Sequence, residues 1–188
     1  GRHVIRLGLI GCGRRGTQAA AQALNTAARG PVALVAMGDT FRDRLQGCYR
    51  NLNGRYGSQV KVSRDRQFVG LDAYESVLQT DADLVLLATP PAFRPLHLEK
   101  AVAANKHVFM EKPVATDAAG IRSVLETAEE AKRKKLNVIV GLQRHYQKKY
   151  TTMMDMIHKG KIGDITSGQV YWNSAGVWTR PREASQTE

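Results

Sequence analysis

The stretch GLIGCGRRG, Gly8 to Gly16, continues an apolar run that begins at Val4, and it constrains this chain more than any other segment. The run reads as a buried strand, and the residues after Gly16, with Ala19, Ala20, Ala23, Leu24 and Ala27 on one side, read as a helix. The three glycines divide the work of such a turn. Gly11 permits the tight bend, Gly13 lets a phosphate approach the backbone, and Gly16 lets the helix pack close to the strand. Cys12, Arg14 and Arg15 occupy the remaining positions, beside a helix N-terminus whose free N–H groups suit a diphosphate.

A lone GxGxxG is a weak signal, because glycines punctuate many strand ends. Its context strengthens it. A second strand, Val32 to Met37, ends in Gly38-Asp39 and places an acid roughly 20 residues beyond the turn, where a dinucleotide-binding unit needs one. A carboxylate there accepts hydrogen bonds from the adenosine ribose and repels a 2′-phosphate, so NAD is expected rather than NADP. Arg42, Arg14 and Arg15 act in the opposite direction, since a guanidinium near the ribose tolerates the additional phosphate. The alternative for Asp39 is a carboxylate that merely closes a strand-end turn.

The alternation of strand and helix then continues. Phe41 to Leu52 reads as a helix and Leu71 to Leu78 as a short one, with an irregular stretch between them that carries Val60 and Val62 toward Phe68-Val69. ADLVLLA, Ala82 to Ala88, is a buried strand stopped by Thr89-Pro90-Pro91, and Pro95 suits the first turn of a helix with Leu98, Ala101 and Val102 on its apolar stripe. His107 to Met110 and Val138 to Val140 are further strands, separated by helical spacing at Ile121, Val124, Leu125, Ala128 and Ala131. The pattern predicts a doubly wound, mainly parallel sheet with helices on both faces. After Arg144 the pattern changes. Tyr150, Met153, Met154 and Ile157 mark a helix ended by Gly160 and Gly163, Ile165 to Trp172 reads as a strand of alternating polarity, and TRPREASQTE is polar. Residues 1–146 are therefore expected to form a dinucleotide-binding domain and residues 147–188 the first helix and strand of a second, α+β domain cut short.

Composition excludes little but does so clearly. The 188 residues are 43% hydrophobic and 24% charged, an ordinary globular balance. The formal charge of +11 raises the possibility of nucleic acid. Its clusters, Lys132 to Lys135 and Arg144 to Lys149, come without zinc-ligand spacing or an RNA-binding aromatic signature, and the first closes a helix where cations suit the dipole. No nucleic-acid partner is expected. Cys12 and Cys48 form neither a disulfide framework nor a metal spacing, so no metal is expected. No apolar run approaches the roughly 18 residues of a membrane span. A cytoplasmic location is expected, with an exported parent as the alternative.

NKHVFMEKPVATD, Asn105 to Asp117, sets Glu111, Lys112 and Pro113 at the C-terminal end of a strand, where ligands bind in open α/β sheets. Together with the glycine turn, Asp39, LLATPP at Leu86 to Pro91, GLQRHY at Gly141 to Tyr146 and IHKGKIGDI at Ile157 to Ile165, it makes the chain resemble the glucose–fructose oxidoreductase / inositol dehydrogenase (Gfo/Idh/MocA) family over nearly its whole length. The resemblance implies a Rossmann-type cofactor domain and hydride transfer between a nicotinamide cofactor and a sugar, cyclitol or related polyol. It implies that Glu111 lies by the nicotinamide ribose and that Lys112, the catalytic residue, reaches the substrate hydroxyl. An ammonium beside a positively charged nicotinamide is partly disfavoured, which eases proton exchange at neutral pH. Thr89 and Pro90 match residues that line the cofactor, and Arg144 matches one near the nicotinamide end.

His97 stands near the place of a family histidine, but the spacer PAFRPL is longer than the common form, and a core or capping histidine is the alternative. The family completes its substrate site with a downstream histidine and aspartate that no residue after Trp172 can represent, and it commonly forms homo-oligomers through the second domain. The chain alone is expected to be catalytically incomplete. A relative of another class, a glycosidase that oxidises, eliminates, hydrates and reduces while keeping NAD bound, is the alternative function.

Overall fold

The computed structural model describes residues 3–173 together with residues 175 and 182, and these fall into two compact units that divide after Leu142. In the first unit, strands β1 (Ile5–Ile10), β2 (Val32–Asp39), β3 (Gln67–Val69), β4 (Leu84–Leu87), β5 (His107–Met110) and β6 (Val138–Val140) form one sheet. Every pairing is parallel, in the order β3-β2-β1-β4-β5-β6. Helices α1 (Arg14–Leu24), α2 (Arg42–Tyr56), α3 (Ala73–Leu78), α4 (Arg94–Ala103) and α5 (Ala118–Arg133) connect the strands.

Alternate residues of each strand point to opposite faces, so a strand buried on both sides feeds two cores. Leu7, Leu9, Leu34 and Leu86 pack with Ala20 and Leu24 of α1 and Leu45 and Leu52 of α2. Ile10, Ala36, Val85, Leu87, Val108 and Met110 pack on the other side with Val77 of α3, Leu98, Ala101 and Val102 of α4 and Val124 and Ala131 of α5. Each fully buried leucine or valine here contributes about 1.5–3 kcal/mol relative to exposure. The doubly wound parallel sheet expected from the sequence is therefore present, and its strand order reverses between β1 and β4. That reversal places the ends of β1, β4 and β5 around one crevice.

The cationic cluster at Lys132 to Lys135 has internal roles. Arg133 pairs with Glu130 in the last turns of α5, and Lys134 Nζ donates to Val102 O at 3.0 Å. The start of α5 is capped by Asp117, whose Oδ1 accepts from Gly120 N at 2.7 Å. Val60 makes only an isolated parallel bridge to Leu34, in keeping with its irregular surroundings.

The second unit contains α6 (Gln143–Tyr146) and α7 (Lys148–His158), followed by Gly160 and Gly163, both at positive φ. The expected strand at Ile165 to Trp172 is a correction. This segment is exposed throughout and pairs with no other described strand. A strand exists only through partners for its N–H and C=O groups, and alternating polarity cannot supply them. Of TRPREASQTE, only Arg182 lies within the described residues.

Candidate cofactor and substrate site

Gly11 leaves β1 with φ +94°, and its N–H donates to Gly38 O at 2.8 Å. A Cβ at Gly11 would meet the Ala88 carbonyl carbon and the Thr89 nitrogen at 2.8 Å, and one at Gly16 would stand 1.8 Å from Gly11 O. The first and third glycines thus have the roles read from the sequence. Gly13 is different: a Cβ there would have only Arg44 Nη1, at 3.7 Å, within 4 Å. Gly13 is also the N-cap of α1 and provides no side chain to bind the first-turn N–H groups. An open approach to an uncapped helix N-terminus fits a diphosphate.

Asp39 stands at the end of β2, next to this turn. Its Oδ2 accepts from Cys12 N at 2.6 Å and its Oδ1 from Phe41 N at 2.8 Å. These bonds fix the carboxylate and leave each oxygen further acceptor capacity for a ribose hydroxyl. Arg44 Nη1 lies 3.7 Å from where a Cβ at Gly13 would stand, and its guanidinium lies over the Phe41 ring at 5.8 Å, whereas the sequence directs attention to Arg42, Arg14 and Arg15. Arg44 lies a helical turn beyond Phe41 on α2, and that spacing is the signal that could have found it. Cys12 and Cys48 are free and buried. The Cys12 thiol is held well above its ordinary pKa by its hydrogen bond with Cys48 and by burial, so it is packing rather than a nucleophile.

Glu111, at the end of β5, is buried, and Arg15 Nη2 of α1 lies 2.7 Å from its Oε1. The contact is an ion pair whose angles fall outside hydrogen-bond geometry. A Cβ at Gly141, just past β6, would come within 3.1 Å of the same oxygen, so the absence of a side chain there makes room for the carboxylate. Lys112 follows, exposed, with a cis peptide bond to Pro113. Across the crevice, after β4, Thr89 Oγ1 lies 3.1 Å from His97 Nδ1, and Arg94 Nη2 donates to Thr89 O at 2.8 Å. His97 is buried against Tyr74, with ring centroids 4.3 Å apart, and burial pulls its pKa to about 4. It is a neutral core histidine that buttresses the Thr89 turn.

The first unit therefore brings Gly11, Cys12, Gly13, Arg14, Arg15, Gly16, Asp39, Thr89, Pro90, Glu111 and Lys112 to the strand ends around one crevice. Arg144 belongs to the second unit, where its Nη1 donates to Tyr150 OH and its guanidinium lies 5.2 Å from the Trp172 ring. Sequence reading also passed over Arg94. Its signal was an arginine in a helix first turn, just after the TPP turn, where a cation opposes the dipole. Among the described residues no group of His, Cys, Asp and Glu side chains is placed to hold a metal ion.

Residues 5–142 match the family described as Oxidoreductase family, NAD-binding Rossmann fold. The chain belongs to this family. Within this oxidoreductase family it is 30% identical over 162 residues to the inositol 2-dehydrogenase of Rhizobium meliloti (strain 1021), covering 86% of this chain and 43% of that protein. It is 27% identical over 166 residues to a glycosyl hydrolase family 109 protein of Streptomyces coelicolor, covering 87% of this chain and 33% of that one. Among solved structures, the scyllo-inositol dehydrogenase of Lactobacillus casei with bound NAD(H) and scyllo-inositol superposes with a TM-score of 0.66 at 25% identity, covering 87% of this chain and 44% of that one. The chain thus spans less than half the length of these relatives.

Proposed function

We propose that this chain is the cofactor-binding portion of an enzyme that transfers hydride between NAD and a carbinol carbon of a cyclitol, sugar or related polyol. One observation carries the reading: the uncapped α1 N-terminus at Gly13 and the Glu111-Lys112 turn of β5 face the same strand-order reversal. The nicotinamide, when bound, supplies the hydride acceptor or donor. Gly13 and the first-turn N–H groups of α1 receive the diphosphate, with Arg14 and Arg15 beside it, and Asp39 receives the adenosine ribose. Thr89 and Pro90 line the cofactor, Glu111 meets the nicotinamide ribose, and Arg144 contributes at the nicotinamide end. Lys112 exchanges the proton of the substrate hydroxyl; its ammonium has no ion-pair partner among the described residues and is free to do so.

The whole protein is proposed to be a cytoplasmic homo-oligomer whose second domain completes the substrate site and the subunit interface. On that reading residues 147–188 begin the second domain, and this chain binds NADH without turning over a polyol. Fluorescence titration with NADH, followed by cofactor reduction with an inositol and polyol panel, tests it on this chain and on a protein extended to the relatives' length. The extended protein is expected to turn over, and Lys112→Ala to reduce its rate by about a hundredfold or more. Failure of this chain to bind NADH, or undiminished turnover in Lys112→Ala, overturns the proposal. The similarity to a glycosyl hydrolase family 109 protein favours one second reading, a glycosidase that cycles its NAD. Glycoside cleavage without steady-state NADH release would establish that alternative.

A further inference from the structure

Arg94 is only 5% exposed, although it carries a charge and stands in the first turn of α4 with no acidic residue in that turn. Both placements cost free energy: burial strips the guanidinium of water, and the positive end of the helix dipole opposes it. Its Nε–H is buried without a hydrogen-bond acceptor among the described residues, which adds to the cost. Burial accordingly pulls its pKa below the ordinary value, against an opposing pull from Glu111. A hydrophobic side chain of similar volume would fill this position without those costs, so packing alone does not account for an arginine here.

What the guanidinium does is join two loops. Nη2 donates to Thr89 O in the turn after β4, and Nη1 donates to Pro113 O in the turn after β5. Pro113 directly follows Lys112, and Thr89 lies beside the glycine turn, where a Cβ at Gly11 would stand 2.8 Å from the Thr89 nitrogen. Only a planar fork reaches two carbonyls in this way; an ammonium acts as a point charge. We propose that Arg94 is a positioning residue for the nicotinamide half of the site, holding the Thr89 turn against the Pro113 turn and thereby fixing where Glu111 and Lys112 stand. The inference rests on the dinucleotide reading above, and it assigns to Arg94 no contact with substrate or cofactor.

The experiment separates the two halves of the cofactor. ADP reports the adenosine and diphosphate end, whereas NADH also engages the nicotinamide riboside, so both are titrated against the full chain and against Arg94→Met and Arg94→Lys. For Arg94→Met, NADH affinity is expected to fall by about tenfold or more, since two charge-assisted hydrogen bonds are lost, while ADP affinity stays within about twofold. The emission of bound NADH should shift toward that of free NADH, and thermal stability should be unchanged or higher. Arg94→Lys, which retains the charge and folds on the same stem, is expected to restore less than half of the lost NADH affinity. Hydrogen exchange should quicken in the turns after β4 and β5 and not in β1 or α1. Equal losses for ADP and NADH, or a fall in stability that accounts for both, overturn the inference and leave Arg94 a structural residue. Unchanged NADH affinity in both variants overturns it as well. If the unsubstituted chain binds neither ligand, the dinucleotide reading fails and the inference falls with it, a result distinct from the other two.

Discussion

At the scale of single residues, two side chains beside the glycine turn bear on cofactor choice, Asp39 and Arg44. Asp39 is locked by the N–H groups of Cys12 and Phe41, so its charge cannot turn away from a 2′-phosphate. NADH should therefore bind more tightly than NADPH, and Asp39→Ala should narrow the difference by about tenfold, as read by parallel fluorescence titrations. Arg44 Nη1 stands 3.7 Å from the position a Cβ at Gly13 would take, so Arg44→Ala should weaken NADPH more than NADH; an equal effect on both would show that it serves only the diphosphate. His97 gives a second prediction. Its folded pKa, about 4, lies below the ordinary value of 6.5, so between these pH values the unfolded chain takes up a proton that the folded chain refuses. Stability should hold above pH 6.5 and decline as pH falls toward 4, on the order of 3 kcal/mol in all. Denaturant unfolding at several pH values checks this, and His97→Phe, which keeps a ring against Tyr74, should flatten that part of the profile.

At the scale of elements, the approach of α1 to β1 is what presents an uncapped helix end to the crevice. Because a Cβ at Gly16 would overlap Gly11 O, Gly16→Ala should cost about 2–3 kcal/mol by overpacking and weaken NADH binding as the helix backs away. A variant as stable as the parent and equally able to bind would remove Gly16 from the design. These features were legible in the sequence because they are local. The glycine spacing, the acid at the end of β2 and the runs that became β4, β5 and β6 each carry their own physics, and β5 and β6 have the bounds that the apolar runs gave. What was not legible depends on partners distant in sequence. Arg94 reads as a surface residue at a helix start until Pro113 O arrives from the next loop, and Arg44 reaches the side of Gly13 only through the turn of α2. Ile165 to Trp172 has the alternation of a strand, but no neighbouring strand among the described residues makes it one.

At the scale of the whole molecule, the first unit is self-sufficient in the terms that govern folding. Both faces of its sheet are covered by helices of the same unit, and the strand reversal that creates the crevice lies wholly within it. Of the residues assigned to the cofactor, only Arg144 lies beyond Leu142. Within the second unit Arg144 is engaged by Tyr150 and Trp172, and the apolar side chains of α7, Met153, Met154 and Met156, are exposed. A protein comprising residues 1–142 should therefore fold with a cooperative thermal transition within a few degrees of the full chain. It should also bind ADP with the same affinity, because every group assigned to the adenosine and diphosphate end is retained. On the role proposed for Arg144, NADH should bind a few-fold more weakly, and Arg144→Ala in the full chain should reproduce that loss without affecting ADP. Calorimetric titration of the three proteins with both ligands decides it: weaker ADP binding by the shortened protein would place part of the diphosphate site in the second unit, and equal NADH binding by all three would strip Arg144 of its assignment.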